Sequence, residues 1–242
     1  MYGQPVVKRD TIFFVREATT RLSSARRADR PRDRDGSTDV ERQILTVTEE
    51  LLEGVTLSEL SVNQICARAG IARGTFYFYF SSKFAVVAAL LATVMDDVYV
   101  MMEPFVNRTA DEHPADALAE GLAAGWEVWS AHRTLLRETC QHWAEVAQLR
   151  EIWLEIIERF TAAIAHEIDS ERASGLASDG VDSRMLAAIL LWSTERCAYV
   201  AGLGVDHDLP NEQAIFESVL RLWLRAIYAE ASEPERRLLS ER

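Results

Sequence analysis

From Thr38 onward, apolar residues recur every three or four positions, and runs that alternate apolar with polar are almost absent. That period puts one face of an α-helix against a core and leaves little that could form a half-buried strand. With only 11 glycines and 6 prolines, such segments are seldom interrupted. The chain is therefore predicted to be all-α. Its 242 residues suffice for one large domain or two modest ones. A composition of 48% hydrophobic and 26% charged residues excludes wholesale disorder.

Caps and breakers divide the helical pattern. Thr38 or Asp39 can cap a first helix whose inward positions are Ile44, Val47, Leu51 and Leu52, and Gly54 lies where a left-handed residue ends such a helix. Ser61 caps a second helix carrying Val62, Ile65, Cys66 and Ala69 inward. Gly70 permits the positive φ of a tight turn, with Ile71 as its apolar plug, and a short aromatic helix runs from Arg73 to about Phe80. Ser82 caps a long helix, 83 to about 103, ended by Pro104. Five more helices follow, at about 115–130, 133–147, 149–174, 182–203 and 211–229. The implied organisation is a basic, disordered arm (1–37), a small head (38–84) and a large body (85–242).

No uncharged run approaches the ~18 residues of a membrane span. The longest apolar stretch, Ala85 to Met95, stops at Asp96-Asp97. The start, MYGQPVVKRD, lacks the charged and apolar regions of a secretory leader. Three cysteines, Cys66, Cys140 and Cys197, with no CxxC, point to free thiols in a reducing cytoplasm.

Net charge −12 at first argues against a polyanionic partner. The distribution reverses that. Residues 1–84 carry 13 basic and 11 acidic side chains, whereas residues 85–242 carry 13 and 27. A protein built this way can touch phosphate at one end only. Arg26, Arg27 and Arg30 in the arm could add non-specific phosphate affinity.

The informative stretch is Ser61 to Lys83, SVNQICARAGIARGTFYFYFSSK, two short helices around a glycine turn. This is the sequence form of a helix-turn-helix, although glycine-linked helix hairpins are common. Phe76 and Phe80, four apart, are predicted to face the core; Phe78 is equally suited to either side. Arg73, Gly74, Thr75, Tyr77 and Tyr79 then lie nearer the outer faces, where a helix can enter a major groove about 12 Å wide. Arg73 suits bidentate reading of guanine and Asn63 of adenine. Gly74 lets the backbone approach the bases. Thr75 and Ser61 sit at helix starts, suited to phosphate oxygens, as are the phenols of Tyr77 and Tyr79 and the ammonium of Lys83.

The segment AGIARGTFYFYFSSK resembles the DNA-binding signature of the TetR family of repressors, and the pattern spans residues 39–95. The resemblance implies an N-terminal three-helix head, a helical regulatory body, and a homodimer through the last two long helices. Ser81 departs from the usual proline, which loosens the turn after the recognition helix, and Phe84 stands where an acid is common. The similarity continues into the body, in IDSERASG (168–175), TERCAYVAG (194–202) and LWLRAIY (222–228), toward a branch that binds elongated apolar ligands in a channel. It implies ligand contacts at Trp126, Trp129, Trp153, Ile157, Phe160, Leu191, Thr194 and Trp223. Thr194 replaces an asparagine that bonds ligand carbonyls; its hydroxyl has a shorter reach, so ligand preference does not transfer.

All six tryptophans lie after residue 125, on several helices, where they could converge on a pocket or simply fill a core. Apolar residues spread widely over the last two long helices, leaving one face for a partner. The predicted function is a ligand-responsive repressor that binds a palindromic operator as a dimer and is released by an apolar molecule. Ligand would favour a wider separation of the heads, transmitted by the long helix after Ser82. The rival is a helical ligand-carrier or interaction protein without sequence-specific DNA binding. Enzyme chemistry is not expected: the histidines at 113, 132, 142, 166 and 207 are scattered, and no catalytic, metal or cofactor motif occurs.

Overall fold

The computed structural model describes residues 36–102, 105, 113–205, 208 and 212–229. The arm up to residue 35, the break around Pro104 and the tail after Ser232 lie outside the described residues. The described chain is helical: α1 (Gly36–Leu52), α2 (Val62–Ala69), α3 (Arg73–Tyr79), α4 (Lys83–Met101), α5 (Pro114–Ala131), α6 (Arg133–His142), α7 (Ala147–Ala173), α8 (Ser183–Leu203) and α9 (Glu212–Tyr228). Two compact units divide after Arg42. Of the first, the described residues are the opening turns of α1, where Arg42 pairs with Asp39 at 2.9 Å. Everything from Gln43 on belongs to the second.

The caps of α2 and α4 act as the sequence implies. Ser61 and Gln64 form a reciprocal capping box on α2, and Gly70 ends that helix at φ 65° with its N–H on the Ala67 and Cys66 carbonyls. The Ser82 hydroxyl accepts the Ala85 N–H to start α4. Three expectations need correction. α1 starts at Gly36, so Thr38 and Asp39, expected to cap it, lie inside its first turn. Gly54 is not among the positive-φ glycines, because α1 ends in a right-handed turn in which Gly54 and Val55 both donate to the Leu51 carbonyl. The helix predicted over 133–147 stops at His142, where Glu145 and Val146 fold back onto the His142 carbonyl.

α4 is the spine of the body, packed along α7 and α5. By length and composition it could cross a membrane, with a mean hydropathy of 1.9. Here Val86, Val87, Ala88, Leu90, Leu91 and Val94 are buried in the protein core instead. Its Asp96 pairs with Arg159 of α7 at 2.5 Å, and that guanidinium lies 4.8 Å over the Tyr99 ring. Burial pushes the Tyr99 phenol above its usual range, while Arg159 pulls it down. α7 packs most extensively on α8, and α8 packs in turn on α9 and α6.

Candidate nucleic-acid interface and sensor recess

α3 has only seven residues, too few to be stable alone. Two aromatics hold it in place: Phe76 is fully buried and Phe80 nearly so, their ring centroids 6.2 Å apart. Both stand where the spacing puts them. The helix therefore presents Gly74 and Phe78 directly outward, flanked by Tyr77 on one side and Thr75 on the other. Tyr77 is 45% exposed and Phe78 50%, whereas Thr75 and Tyr79 are half-buried. Phe78 is thus an outward aromatic that spacing left undecided, packed edge-on against Tyr79 at 5.0 Å.

Three of the predicted residues come together. Arg73 donates to the Asn63 side-chain oxygen at 3.0 Å and to the Tyr77 hydroxyl at 3.1 Å. An exposed guanidinium is thereby held between α2 and α3 by bonds worth about 1 kcal/mol each, which a better partner can displace. At Gly74 a Cβ would meet nothing within 4 Å, so the fold itself does not require glycine there. Placed in a helix, glycine costs about 1 kcal/mol relative to alanine. The Ser61 hydroxyl is occupied by Gln64, to which it donates at 2.7 Å.

Lys83, expected to reach a phosphate, also has partners within the protein. Its ammonium donates to the carbonyls of Leu57, Ser58 and Leu60 at 2.7, 3.1 and 2.7 Å, using all three hydrogens, and lies 5.2 Å over the Phe84 ring. Partial burial pulls the amine below the usual lysine range. Lys83 thus ties the α1–α2 loop to the start of α4. Lys83→Met is expected to lower stability by about 1–3 kcal/mol in urea melts. The salt slope of DNA binding should stay unchanged; a slope reduced by about 1 would return Lys83 to phosphate contact.

Further ties join the head to α6. Buried Glu138 accepts the Leu57 N–H at 2.7 Å. His132, just before α6, meets Glu49 of α1 at 2.5 Å, and His142 meets the Ser58 hydroxyl at 3.2 Å. Sequence reading missed all three, since their partners lie 81 to 84 residues away. The Ser82 hydroxyl also donates to Gln148, at 3.0 Å. Among the described residues, no group of three metal-ligating side chains assembles.

In the body, Trp126 and Trp129 line a recess with Arg133 and Arg137 of α6 and Ala198, Tyr199 and Gly202 of α8. Trp126 also packs on Phe216 at 5.7 Å. Trp153, Phe160 and Trp223 are buried, whereas Ile157 and Leu191 are half-buried. Phe160 lies edge-on to Tyr99 at 5.3 Å. The Thr194 hydroxyl, predicted to face ligand, has protein partners on both sides: it donates to the Leu190 carbonyl at 2.8 Å and accepts the Trp223 indole N–H at 2.9 Å. Trp143 and Trp192 pair elsewhere, at 5.7 Å. Apolar side chains left exposed on the last helices are Met185, Ile189 and, at its end, Leu203 of α8 and Leu222 of α9, at 59%, 53%, 39% and 50%.

A capped helix pair that carries an exposed Arg73–Asn63–Tyr77 cluster, set on a helical body, is the form of a DNA-binding transcriptional regulator of the helix-turn-helix class. The model of bacterial regulatory proteins of the tetR family matches residues 44–90, and that of the transcriptional regulator EthR C-terminal domain matches residues 118–229. The HTH-type transcriptional regulator EthR of Mycobacterium tuberculosis is 30% identical over 212 residues, covering 86% of this chain and 98% of that protein. The chain belongs to the TetR family, with a body of the EthR type. Its relatives are regulators, not enzymes. Solved structures share the fold. NalD, the secondary repressor of a multidrug efflux pump in Pseudomonas aeruginosa, has a TM-score of 0.64 at 19% identity, over 81% of this chain and all of that one. FadR of Bacillus subtilis, in complex with stearoyl-CoA, has 0.63 at 22%, over 77% and 99%.

Proposed function

We propose that this chain is a cytoplasmic, ligand-responsive repressor that binds a palindromic operator as a homodimer and is released by an apolar small molecule. Residues 38–84 are the DNA-binding head and 85–242 the ligand-binding and dimerisation body. The observation that carries the reading is the Arg73–Asn63–Tyr77 cluster on the open side of a helix whose other side is sealed by Phe76 and Phe80. Arg73 reads a base edge; Asn63 is released to a second. Gly74 lets the helix lie close, Phe78 offers its ring to a thymine methyl, and Thr75, Tyr77, Tyr79 and the α2 start at Ser61 hold phosphates. Two such heads must meet major grooves about 34 Å apart, or a multiple of that, which requires a dimer and a palindrome.

Ligand enters among Trp126, Trp129 and the indoles and rings deeper in the body. Its effect reaches the heads along α4 and, more directly, along α6, which lines the recess with Arg133 and Arg137 and holds the head through Glu138 and His142. A ligand weakens DNA binding only as far as it prefers the state with widened heads.

A gel shift with the intergenic DNA upstream of the chain's own reading frame tests the reading. A retarded band that an apolar ligand abolishes supports it, and absence of retardation favours a ligand carrier without operator binding. Arg73→Ala should lose about 1–3 kcal/mol of discrimination at one base position. Tyr77→Phe should weaken all sequences alike, and anisotropy titrations over single-base operator variants separate the two patterns.

A further inference from the structure

We infer that Glu195 is the polar anchor of the recess, accepting a hydrogen bond from a neutral amide-type N–H carried by an otherwise apolar ligand. This rests on the sensor reading of the body and narrows its ligand class. On α8 the recess is walled by Ala198, Tyr199 and Gly202. Glu195 precedes Ala198 by three residues and Tyr199 by four, so it continues the same helix face one turn further along. On α6, Cys140 likewise follows Arg137 by three. The two helices pack together, and the buried Cys140 thiol is pushed up by burial first and by the Glu195 charge second, which places these side chains side by side at the end of the α6–α8 seam.

Glu195 is only 4% exposed, yet neither carboxylate oxygen has an N–H or O–H donor within hydrogen-bond distance, and the bond it does have is the weak one from the Cys140 thiol. The Arg196 Nε is 3.9 Å away, on a side chain 54% exposed, too distant for a hydrogen bond. A thiol kept protonated is at best a weak donor. Buried carboxylates in folded proteins nearly always have donors, because an unbonded buried charge is costly. Glu138, equally buried on α6, has the Leu57 N–H. A ligand N–H gives Glu195 what Glu138 already has.

The rest of the recess decides what carries that N–H. Trp126, Trp129 and Tyr199 supply flat apolar walls for a chain or ring. Arg133 and Arg137 lie on the same walls, and their positive charge disfavours a cationic ligand, so an amide N–H fits better than an ammonium.

The test uses the full chain with decanamide and methyl decanoate, of similar length and shape, the second lacking an N–H. Binding is read by tryptophan fluorescence and melting temperature. Wild type should bind the amide about tenfold tighter or more, as expected for one hydrogen bond to a charged group. Glu195→Leu should bind both alike and melt no lower than wild type without ligand, since it removes a buried charge whose partners are a weak thiol donor and a guanidinium 3.9 Å away. Glu195→Gln keeps an acceptor and should retain part of the preference. Equal affinity of wild type for both probes overturns the anchor and leaves the recess reading standing. Binding of neither overturns both. A marked loss of melting temperature in Glu195→Leu makes Glu195 a structural tie and also overturns the anchor.

Discussion

Aspartate at both Met185 and Ile189 is expected to yield a folded monomer whose operator affinity has fallen about 10²–10⁴-fold. The two residues are four apart on α8 and more than half exposed, on the side away from the packing of Leu186 and Leu190. Leu222 extends the apolar surface on α9, whose Ile215, Val219, Trp223 and Ile227 are turned into the protomer. A two-fold interface uses the same patch on both copies, so each substitution enters it twice and four carboxylates would be buried without partners. Both side chains are more than half exposed, so the monomer should melt near the wild-type temperature. The affinity loss follows from linkage: once one head is seated, the second binds at a high effective concentration, and a monomer forfeits that term. Sedimentation velocity and anisotropy on a full palindrome and a half-site check both parts. A variant that stays dimeric places the interface elsewhere. A monomer with undiminished affinity for the full site would mean that a single head suffices, and the palindrome would be wrong.

The head was legible because its determinants are local. Ser61 and Gln64 are three apart, Gly70 needs only its own φ, and Phe76 and Phe80 follow the helical period. The helical body was legible for the same reason. What stayed hidden depends on groups brought together from distant parts of the chain. A lysine at a helix start shows its charge in the sequence but not the three loop carbonyls that the fold delivers to it. A threonine in the ligand region reads as a ligand donor, yet its hydrogen goes to the Leu190 carbonyl and its oxygen accepts from an indole 29 residues away. Nothing in the helical period marks Glu138 and Glu195 as buried, yet both are sealed inside, one bonded across 81 residues to the head and the other beside a thiol and a guanidinium 3.9 Å away. Periodicity sorts residues by polarity. It therefore places a buried carboxylate on the wrong side, and such carboxylates carry the head–body tie and the inferred ligand anchor here. Gly54 failed for a smaller reason: a right-handed turn closed the helix before a left-handed residue was needed.

Phenylalanine to alanine at positions 76 and 78 should separate the two sides of α3 more sharply than any other pair of changes in the head. Phe76 is fully buried, and its ring meets Tyr77 at 5.4 Å and Phe80 at 6.2 Å. Removing it deletes the main anchor of a seven-residue helix and leaves a cavity the short segment cannot fill. Phe76→Ala should cost about 3–5 kcal/mol, a large fraction of the stability of a domain this size. The loss falls on the head, so operator binding should vanish while the tryptophans of the body keep their emission. Phe78→Ala, two residues on, removes a half-exposed ring whose neighbour is Tyr79. Its effect on stability should stay within about 1 kcal/mol. If Phe78 lies against a thymine methyl, the variant loses discrimination at that base pair, and a uracil-substituted operator should lower wild-type affinity by a similar factor without affecting the variant. Equilibrium urea melts followed by far-ultraviolet dichroism, paired with titrations on the two operators, give all four numbers. If Phe78→Ala destabilises as much as Phe76→Ala, the outward face of α3 is packed rather than presented, and the DNA-reading helix would have to be sought elsewhere in the chain.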